Sequence, residues 1–350
     1  MTAVAPVKAL ILSGGGARGA YEAGVASALL QHEQFDIVCG TSVGALNGMA
    51  IAQGMGSRLL ELWQTIARRD VARLRPEVDT LVQLWNELRG IVKDPARAKP
   101  GHLLHALSSL PHLREARHLR ELRGILDSAH VRSIIDEIAD LKALQMTFIV
   151  GVTNLSTARG NAFAYFPGGA AAQRAPFFFA EHDAHEITTT NYVDAICASA
   201  ALPPAFEPVK ILCADGIERI FADGGFTNNA PIRQAIDAGA TEVTAIFVDP
   251  TTTSDAEHHV DSIAHVASLM LEANTARMLE LDLKLAVRIN NDVRLGREPN
   301  KRYVDIRTIG PDGPITLPVL NFNDYSEIER LIERGRRDGE RFIAEESDAA

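Results

Sequence analysis

Strand-like and helix-like segments alternate from residue 8 to residue 52. The apolar run "KALIL" precedes a helical pattern over Ala20–Gln31, and the strand-like segment "FDIVCG" precedes a second, alanine-rich helical pattern. The connecting segments are short, which is typical of parallel strands covered by helices. We therefore predict an α/β fold with three layers, α/β/α, around a mainly parallel central sheet.

A helical insertion is predicted between two blocks of strands. From about residue 57 to about residue 140, apolar side chains recur at helical spacing, with Trp63 and Trp85 among them. Such stripes predict mainly core and in part the lining of a pocket, with contact to a membrane surface as the alternative. Strand patterns resume beyond the insertion, and one of them ends in "FADGG" at Gly225.

The net charge of −10 excludes a general attraction to nucleic acid. Any membrane contact would have to be local and largely apolar. The three cysteines Cys39, Cys197 and Cys213 lie far apart, and His102, His105 and His112 lack metal-like partners, so we expect no metal and no cofactor. Neither a signal peptide nor a membrane-spanning segment is predicted. These features predict a cytoplasmic location, with export without a signal as an alternative, and leave the oligomeric state open.

The pentapeptide "GTSVG" is an instance of G-x-S-x-G and spans Gly40 to Gly44. A strand-like segment precedes it and a helical pattern follows it, which is the context of a nucleophile elbow. Ser42 would then lie at a helix N-terminus, where developing negative charge is favoured. The alternative is a turn of small residues in which the serine only caps the helix.

A serine nucleophile needs a base, and Asp223 in "FADGG" is the candidate. It ends a predicted strand, and Gly224 and Gly225 permit a tight turn, so the carboxylate would reach the same edge of a parallel sheet as Ser42. Burial raises the pKa of such a carboxyl and strengthens it as a base. His258 and His259 lie in a polar stretch typical of a solvated loop, and only one strand precedes "FDIVC". A serine triad that uses these histidines or His265 therefore fits poorly. The alternative for "DGG" is a turn-forming Asp-Gly, which is the commonest use of this dipeptide.

The glycine-rich segment "SGGGARG" allows two interpretations. Gly14, Gly16 and Gly19 match the G-x-G-x-x-G pattern of dinucleotide-binding turns, but the acidic residue expected about 20 positions later is replaced by the serine segment. Backbone N–H groups of the Gly14-Gly15-Gly16 turn would suit an oxyanion instead. Arg18 would hold the turn in place or meet an anionic substrate group.

Four blocks, "GGGARG", "GTSVG", "ASAALPP" and "DGG", resemble the patatin-like phospholipases in their order and spacing. The resemblance implies an α/β sheet with helices on both faces and a Ser42–Asp223 dyad without histidine. It also implies an oxyanion hole in the glycine turn and fatty-acyl esters of phospholipids, lysophospholipids or other glycerolipids as substrates. We assign residues 8–240 to the catalytic domain and residues 241–350 to a continuation of the α/β domain that ends in a charged helix.

Two other functions stay open at this point. An acyltransferase would pass the acyl group to an acceptor other than water, but the serine–histidine pair and the carboxylate-binding arginine of such enzymes are not evident beside these blocks. A lipid-binding protein without activity would have no need to keep Ser42, Asp223 and the glycine loop together. We therefore expect a lipid or acyl-ester substrate, possible transient contact with a membrane surface and no nucleic acid.

Overall fold

The computed structural model describes residues 5–76, 78–79, 124–249 and 263–349. Its strands form one sheet in the order β5-β4-β3-β2-β1-β8-β9, and β7 pairs with β3 and with β6. The strands are β1 Lys8–Leu12, β2 Ile37–Thr41, β3 Thr147–Asn154, β4 Arg159–Tyr165, β5 Ala184–Glu186, β6 Val209–Leu212, β7 Glu218–Asp223, β8 Glu242–Ile246 and β9 Asp305–Ile309.

Most pairings between these strands are parallel: β1 with β2 and β8, β2 with β3, β4 with β5, and β8 with β9. The antiparallel pairings are β3 with β4 and β7, and β6 with β7. Strands β1, β2, β3 and β8 therefore all end at one edge of the sheet, which we call the carboxyl edge.

Helices cover both faces of the sheet. They are α1 Gly19–Leu29, α2 Val43–Ala52, α3 Leu59–Ala67, α4 Ser128–Ile138, α5 Ala175–Glu181, α6 Tyr192–Ser199, α7 Ile232–Asp237, α8 Ile263–Arg294 and α9 Tyr325–Ala349. Side chains of β1 alternate between the two faces: Leu10 and Leu12 join a core with α1, α2 and α6, whereas Ala9 and Ile11 join a core with α5, α7 and α8. Both faces are apolar because both are covered. The predicted mixed α/β architecture, mostly parallel with helices on both sides, is confirmed.

The described residues from 241 to 349 contribute to the same sheet and the same core. β8 lies beside β1, and β9 extends the sheet beyond β8. Helix α9 packs along α1, with Ile328, Leu331 and Ile332 buried in the core. The sheet that carries the N-terminal motifs therefore depends on the C-terminal part of the chain.

Within the described residues, the region of the predicted insertion contains α3 and α4. Trp63 on α3 is buried and stacks on Phe322. Trp85, His102, His105 and His112 lie outside the described residues. In the part of the chain that the structure describes, no helix combines the length and the apolar character needed to cross a bilayer.

Candidate active site

Ser42 occupies the sharp turn between β2 and α2 at the carboxyl edge. Its backbone has φ 55° and ψ −125°, a conformation that costs energy for any residue with a side chain. Gly44 makes the turn possible, since a Cβ there would lie 2.3 Å from the carbonyl oxygen of Leu12 on β1. The conformation of this turn places the serine hydroxyl beyond the end of β2, at the start of α2.

The hydroxyl of Ser42 donates a hydrogen bond to Asp223, with 2.6 Å between Oγ and Oδ2. Strand β7 brings the carboxylate there because Asp223 pairs with Val152 of β3, one residue beyond the pairing of Thr41 with Gly151. The two side chains are 181 positions apart in sequence and are joined by the ends of neighbouring strands.

Asp223 is almost fully buried, with 3% of its surface exposed. Burial raises the pKa of its carboxyl to about 6, although the hydrogen bonds from Ser42 and from the Gly225 N–H act in the opposite direction. Near neutral pH the group is therefore largely ionised, and it is a stronger base than a carboxylate in water. Its orientation is fixed, because the Gly225 N–H donates to Oδ1 at 2.8 Å while Oδ2 faces Ser42.

Ser199, at the end of α6, stabilises the turn at Ser42 through hydrogen bonds. Its buried hydroxyl donates to the carbonyl oxygen of Gly151 at 2.6 Å and accepts from the Ser42 N–H at 2.9 Å. The Ser42 N–H is thereby satisfied without a helical partner. Ser199 thus connects α6, β3 and the serine turn through one hydroxyl group.

The glycine-rich turn after β1 lies next to Ser42. The Gly14 N–H donates to Oδ1 and to the carbonyl oxygen of Asn229, at 3.1 and 3.3 Å. The N–H groups of Gly15 and Gly16, by contrast, donate to no acceptor among the described residues, and both glycines line a cleft together with Ser42. Gly16 has φ +55°, and a Cβ there would lie 2.1 Å from the Val319 carbonyl oxygen. This position therefore requires glycine.

Arg18 holds the glycine turn against distant parts of the chain. Its guanidinium donates to the Leu317 carbonyl oxygen and to Asp249 at 2.9 Å each, and to Glu272 at 2.8 Å. Only 8% of its side chain is exposed, against 26% for Asp249 and 29% for Glu272. Two roles were predicted for Arg18: to hold the turn in place, or to meet an anionic substrate group. The contacts support the first role, since the ionic partners of Arg18 in the described residues are protein carboxylates.

Two different spaces meet at Ser42. One is an apolar slot between α2, α3 and α4, with about 880 Å³ of empty space including its open mouth. Its lining includes Leu46, Leu62, Trp63 and Ile134. The sequence-based prediction that the insertion contributes both core and pocket lining is consistent with Trp63, which is buried at the wall of the slot.

The other space is a smaller polar cleft, which also has Ser42 in its lining. It is lined by the glycine turn and by Arg18, Asp223, Asn229, Asp249, Glu272 and Thr275. Burial and the neighbouring Glu272 raise the pKa of Asp249, while Arg18 lowers it. Arg18 is thus the counter-ion of two carboxylates in this cleft.

A buried polar network joins the glycine turn to the slot. Asn47 on α2 donates to Glu22 on α1 at 2.8 Å and to the Gly19 carbonyl oxygen at 3.1 Å, and it accepts from the Trp63 indole at 2.8 Å. Complete burial raises the pKa of Glu22 well above its usual value, although the hydrogen bonds from Asn47 and Ser13 act in the opposite direction. The network fixes α1 and α3 relative to the helix that begins at Ser42.

Most residues predicted for the site meet at the carboxyl edge. Close to the Ser42–Asp223 pair lie the predicted glycines, Gly14, Gly15, Gly16, Gly19, Gly40, Gly44, Gly224 and Gly225. His258 and His259 lie outside the described residues, as does the side chain of His265. Sequence reasoning did not single out Asn229, Asp249, Glu272 or Asn47. Asp249 follows β8 in "FVDP", and this position at a strand end is the one signal that could have indicated it.

A sequence model described as patatin-like phospholipase matches residues 10–236 of the chain. Among functionally curated proteins, no sequence matches the chain significantly. Two similar solved structures are VipD from Legionella pneumophila, at 14% identity and a TM-score of 0.40, and human GIVD cytosolic phospholipase A2 in complex with methyl gamma-linolenyl fluorophosphonate, at 12% and 0.38. The alignments cover 98% and 97% of this chain, but 67% and 58% of those two chains.

Proposed function

The chain belongs to the patatin-like phospholipase family, a family of lipid acyl hydrolases, and we propose that it cleaves fatty-acyl esters of phospholipids, lysophospholipids or other glycerolipids through a Ser42–Asp223 dyad. The observation that carries this proposal is the 2.6 Å hydrogen bond from the Ser42 hydroxyl to a buried carboxylate. In the described part of the chain, Ser42 has this base within reach and has free N–H groups beside it.

In the first half of the proposed reaction, Asp223 Oδ2 takes the Ser42 proton while Oγ attacks the ester carbonyl. The N–H groups of Gly15 and Gly16 are the available donors to the oxyanion, because the Gly14 N–H is bound to Asn229. When the tetrahedral intermediate collapses, the bond to the alcohol oxygen breaks. That oxygen takes the proton from Asp223, and an acyl-enzyme remains.

In the second half, a water molecule gives a proton to Asp223 and attacks the acyl-enzyme. Collapse of the second intermediate breaks the bond to Ser42 Oγ, which recovers its proton from Asp223, and releases the fatty acid. The same carboxyl therefore acts as base and acid in both halves. We assign the acyl chain to the apolar slot and the alcohol portion to the polar cleft, because both spaces reach Ser42 and only the slot is lined almost entirely by apolar side chains.

Steady-state hydrolysis of p-nitrophenyl butyrate tests the proposal. We expect Ser42→Ala and Asp223→Asn each to lower kcat/KM by roughly a thousandfold or more, because each removes a partner of the reacting unit. Ser57→Ala and Asp305→Asn, at exposed positions, serve as matched controls and should retain full activity. Circular dichroism and thermal unfolding would establish that all four variants fold. Normal turnover by a folded Ser42→Ala protein would contradict the dyad.

A further inference from the structure

Helix α8 has one face at the proposed active site and another in solvent. On its inner face, Glu272 binds Arg18, Thr275 is buried beside Gly225, and Leu279 is part of the core. The helix spans 32 residues, Ile263–Arg294, and is therefore much longer than the strands that it covers. Whatever contacts its solvent face is held directly beside the polar cleft.

The solvent face combines large apolar side chains with cations. The exposed fraction is 69% for Met270, 48% for Leu281 and 54% for Leu285. Three cationic side chains lie at helical spacing among them. We call this set the α8 outer face: Met270, Arg277, Leu281, Lys284, Leu285 and Arg288.

The charge of this face is opposite to the charge of the whole protein. The chain carries a net charge of −10. Arg277 and Lys284 share one carboxylate, Glu280, while Arg288 has no ionic partner among the described residues. The outer face therefore keeps an excess of positive charge on a protein that is acidic overall.

We propose that the α8 outer face docks onto the surface of an anionic lipid bilayer. A helix of this composition lies in the plane of the interface, with apolar side chains at the boundary of the acyl chains and cations among the head groups. The excess positive charge favours anionic head groups and disfavours a second copy of the same face. The role of this docking rests on the proposed function, since docking would bring the polar cleft beside the lipid substrates. The binding itself requires no catalysis.

Co-sedimentation with vesicles tests the docking. The Ser42→Ala protein would be used so that lipid is not consumed, with vesicles of phosphatidylcholine alone or of phosphatidylcholine mixed with phosphatidylglycerol. We expect binding to the anionic vesicles that weakens as salt is added. No binding to the anionic vesicles, or equal binding to both kinds, would overturn the proposal.

Charge-reversal variants locate the binding face. Replacing Arg277, Lys284 and Arg288 with glutamate should weaken vesicle binding by roughly fivefold for each cation. The matched control reverses Arg58, Arg233 and Arg330, whose side chains are 60%, 74% and 75% exposed on other helices or turns. It gives the same net charge and should bind far better than the α8 variant. Equal losses in both variants would overturn the assignment to α8.

A second pair of variants tests the apolar part of the face. Leu285→Ser should weaken vesicle binding, whereas Phe177→Ser, at a position 57% exposed on α5, should not. If instead the protein elutes as a dimer and the α8 variant as a monomer, the face joins two copies and the lipid proposal is wrong. Turnover of p-nitrophenyl butyrate by the protein with native Ser42 is measured separately, so failure of docking and failure of the proposed hydrolysis are distinguishable.

Discussion

The two spaces that meet at Ser42 differ in chemistry and in origin. The slot is apolar and is formed by α2 and the helices of the insertion, whereas the cleft is polar and is formed by the glycine turn, strand ends and α8. Apolar packing gives the slot its shape. Ionic contacts over long sequence separations give the cleft its shape, such as the contact of Arg18 with Glu272 across 254 positions.

This difference separates the proposed binding of the acyl chain from the proposed reaction at the ester. Asp223 and Gly15 line the cleft and not the slot, whereas Ser42 and Gly16 line both spaces, so most of the slot lining is separate from the groups proposed to react. Changes in the slot should therefore alter which acyl chain is accepted. Changes in the cleft should alter the rate for every ester.

The largest expected effect is loss of activity in acid. Asp223 must be ionised to accept a proton, and burial raises its pKa to about 6. We expect kcat/KM to fall about tenfold for each pH unit below 6, and about a hundredfold by pH 4, for short and long esters alike. A pH profile between 4 and 9 measures this. Full activity at pH 4 would exclude Asp223 as the base.

The next effect concerns Arg18 in the cleft. In Arg18→Met, Asp249 and Glu272 would both lose their ion pair with Arg18, and the glycine turn would lose its anchor. We expect the free energy of unfolding at pH 8 to fall by about 2 to 4 kcal/mol, and the rates for short and long esters to fall together. Denaturant unfolding and both ester assays measure this. A loss restricted to long esters would contradict the separation of the two spaces.

A smaller effect is a gain in stability, in contrast to the loss that we expect for Arg18→Met. Because burial raises the pKa of Asp223 to about 6, the ionised carboxylate destabilises the folded state. This cost is small at pH 4, grows as the pH rises and is complete above pH 6. Asp223→Asn should therefore increase the free energy of unfolding by about 1 to 3 kcal/mol at pH 8 and by much less at pH 4. Urea unfolding at the two pH values measures the difference. A loss of stability at pH 8 would show that the carboxylate is well solvated.

The smallest expected effect is selective for chain length. Ile66 lines the slot, and Ile66→Trp would shorten the free space without touching the cleft. We expect about a tenfold lower kcat/KM for p-nitrophenyl palmitate and no change for the butyrate ester. Leu295→Trp, at an exposed position directly after α8, is the control and should change neither rate. Equal losses for both esters in Ile66→Trp would place the acyl chain elsewhere.

The sequence singled out the proposed catalytic pair, which stays a proposal, but not the residues that hold the pair and the glycine turn in place. Ser42 and Asp223 could be identified because each ends a strand-like segment and is flanked by glycine, and parallel strands bring such ends to one edge. Asn229 and Glu272 could not be identified in the same way, because their partners, Gly14 and Arg18, are more than two hundred positions away. In the sequence, Glu272 is one charged residue in a long helical pattern, and nothing local marks it as a partner of Arg18.

The fold was predictable for a similar reason. The alternation of strands and helices sets the parallel sheet, and the periodicities of β9, α8 and α9 were visible in the sequence. The short strands β5 and β6 could not be predicted, because segments of three or four residues carry too little periodicity. The path of β7, which pairs with β3 beyond the end of β2, depends on tertiary contacts and has no local pattern.

The most direct test of the proposed mechanism is covalent labelling by a fluorophosphonate probe, followed by intact mass and peptide mapping. The account predicts a single adduct on Ser42, no adduct in Ser42→Ala, and much slower labelling in Asp223→Asn, because the carboxylate activates the hydroxyl. Labelling on a different residue, or equal labelling of the Ser42→Ala protein, would contradict it.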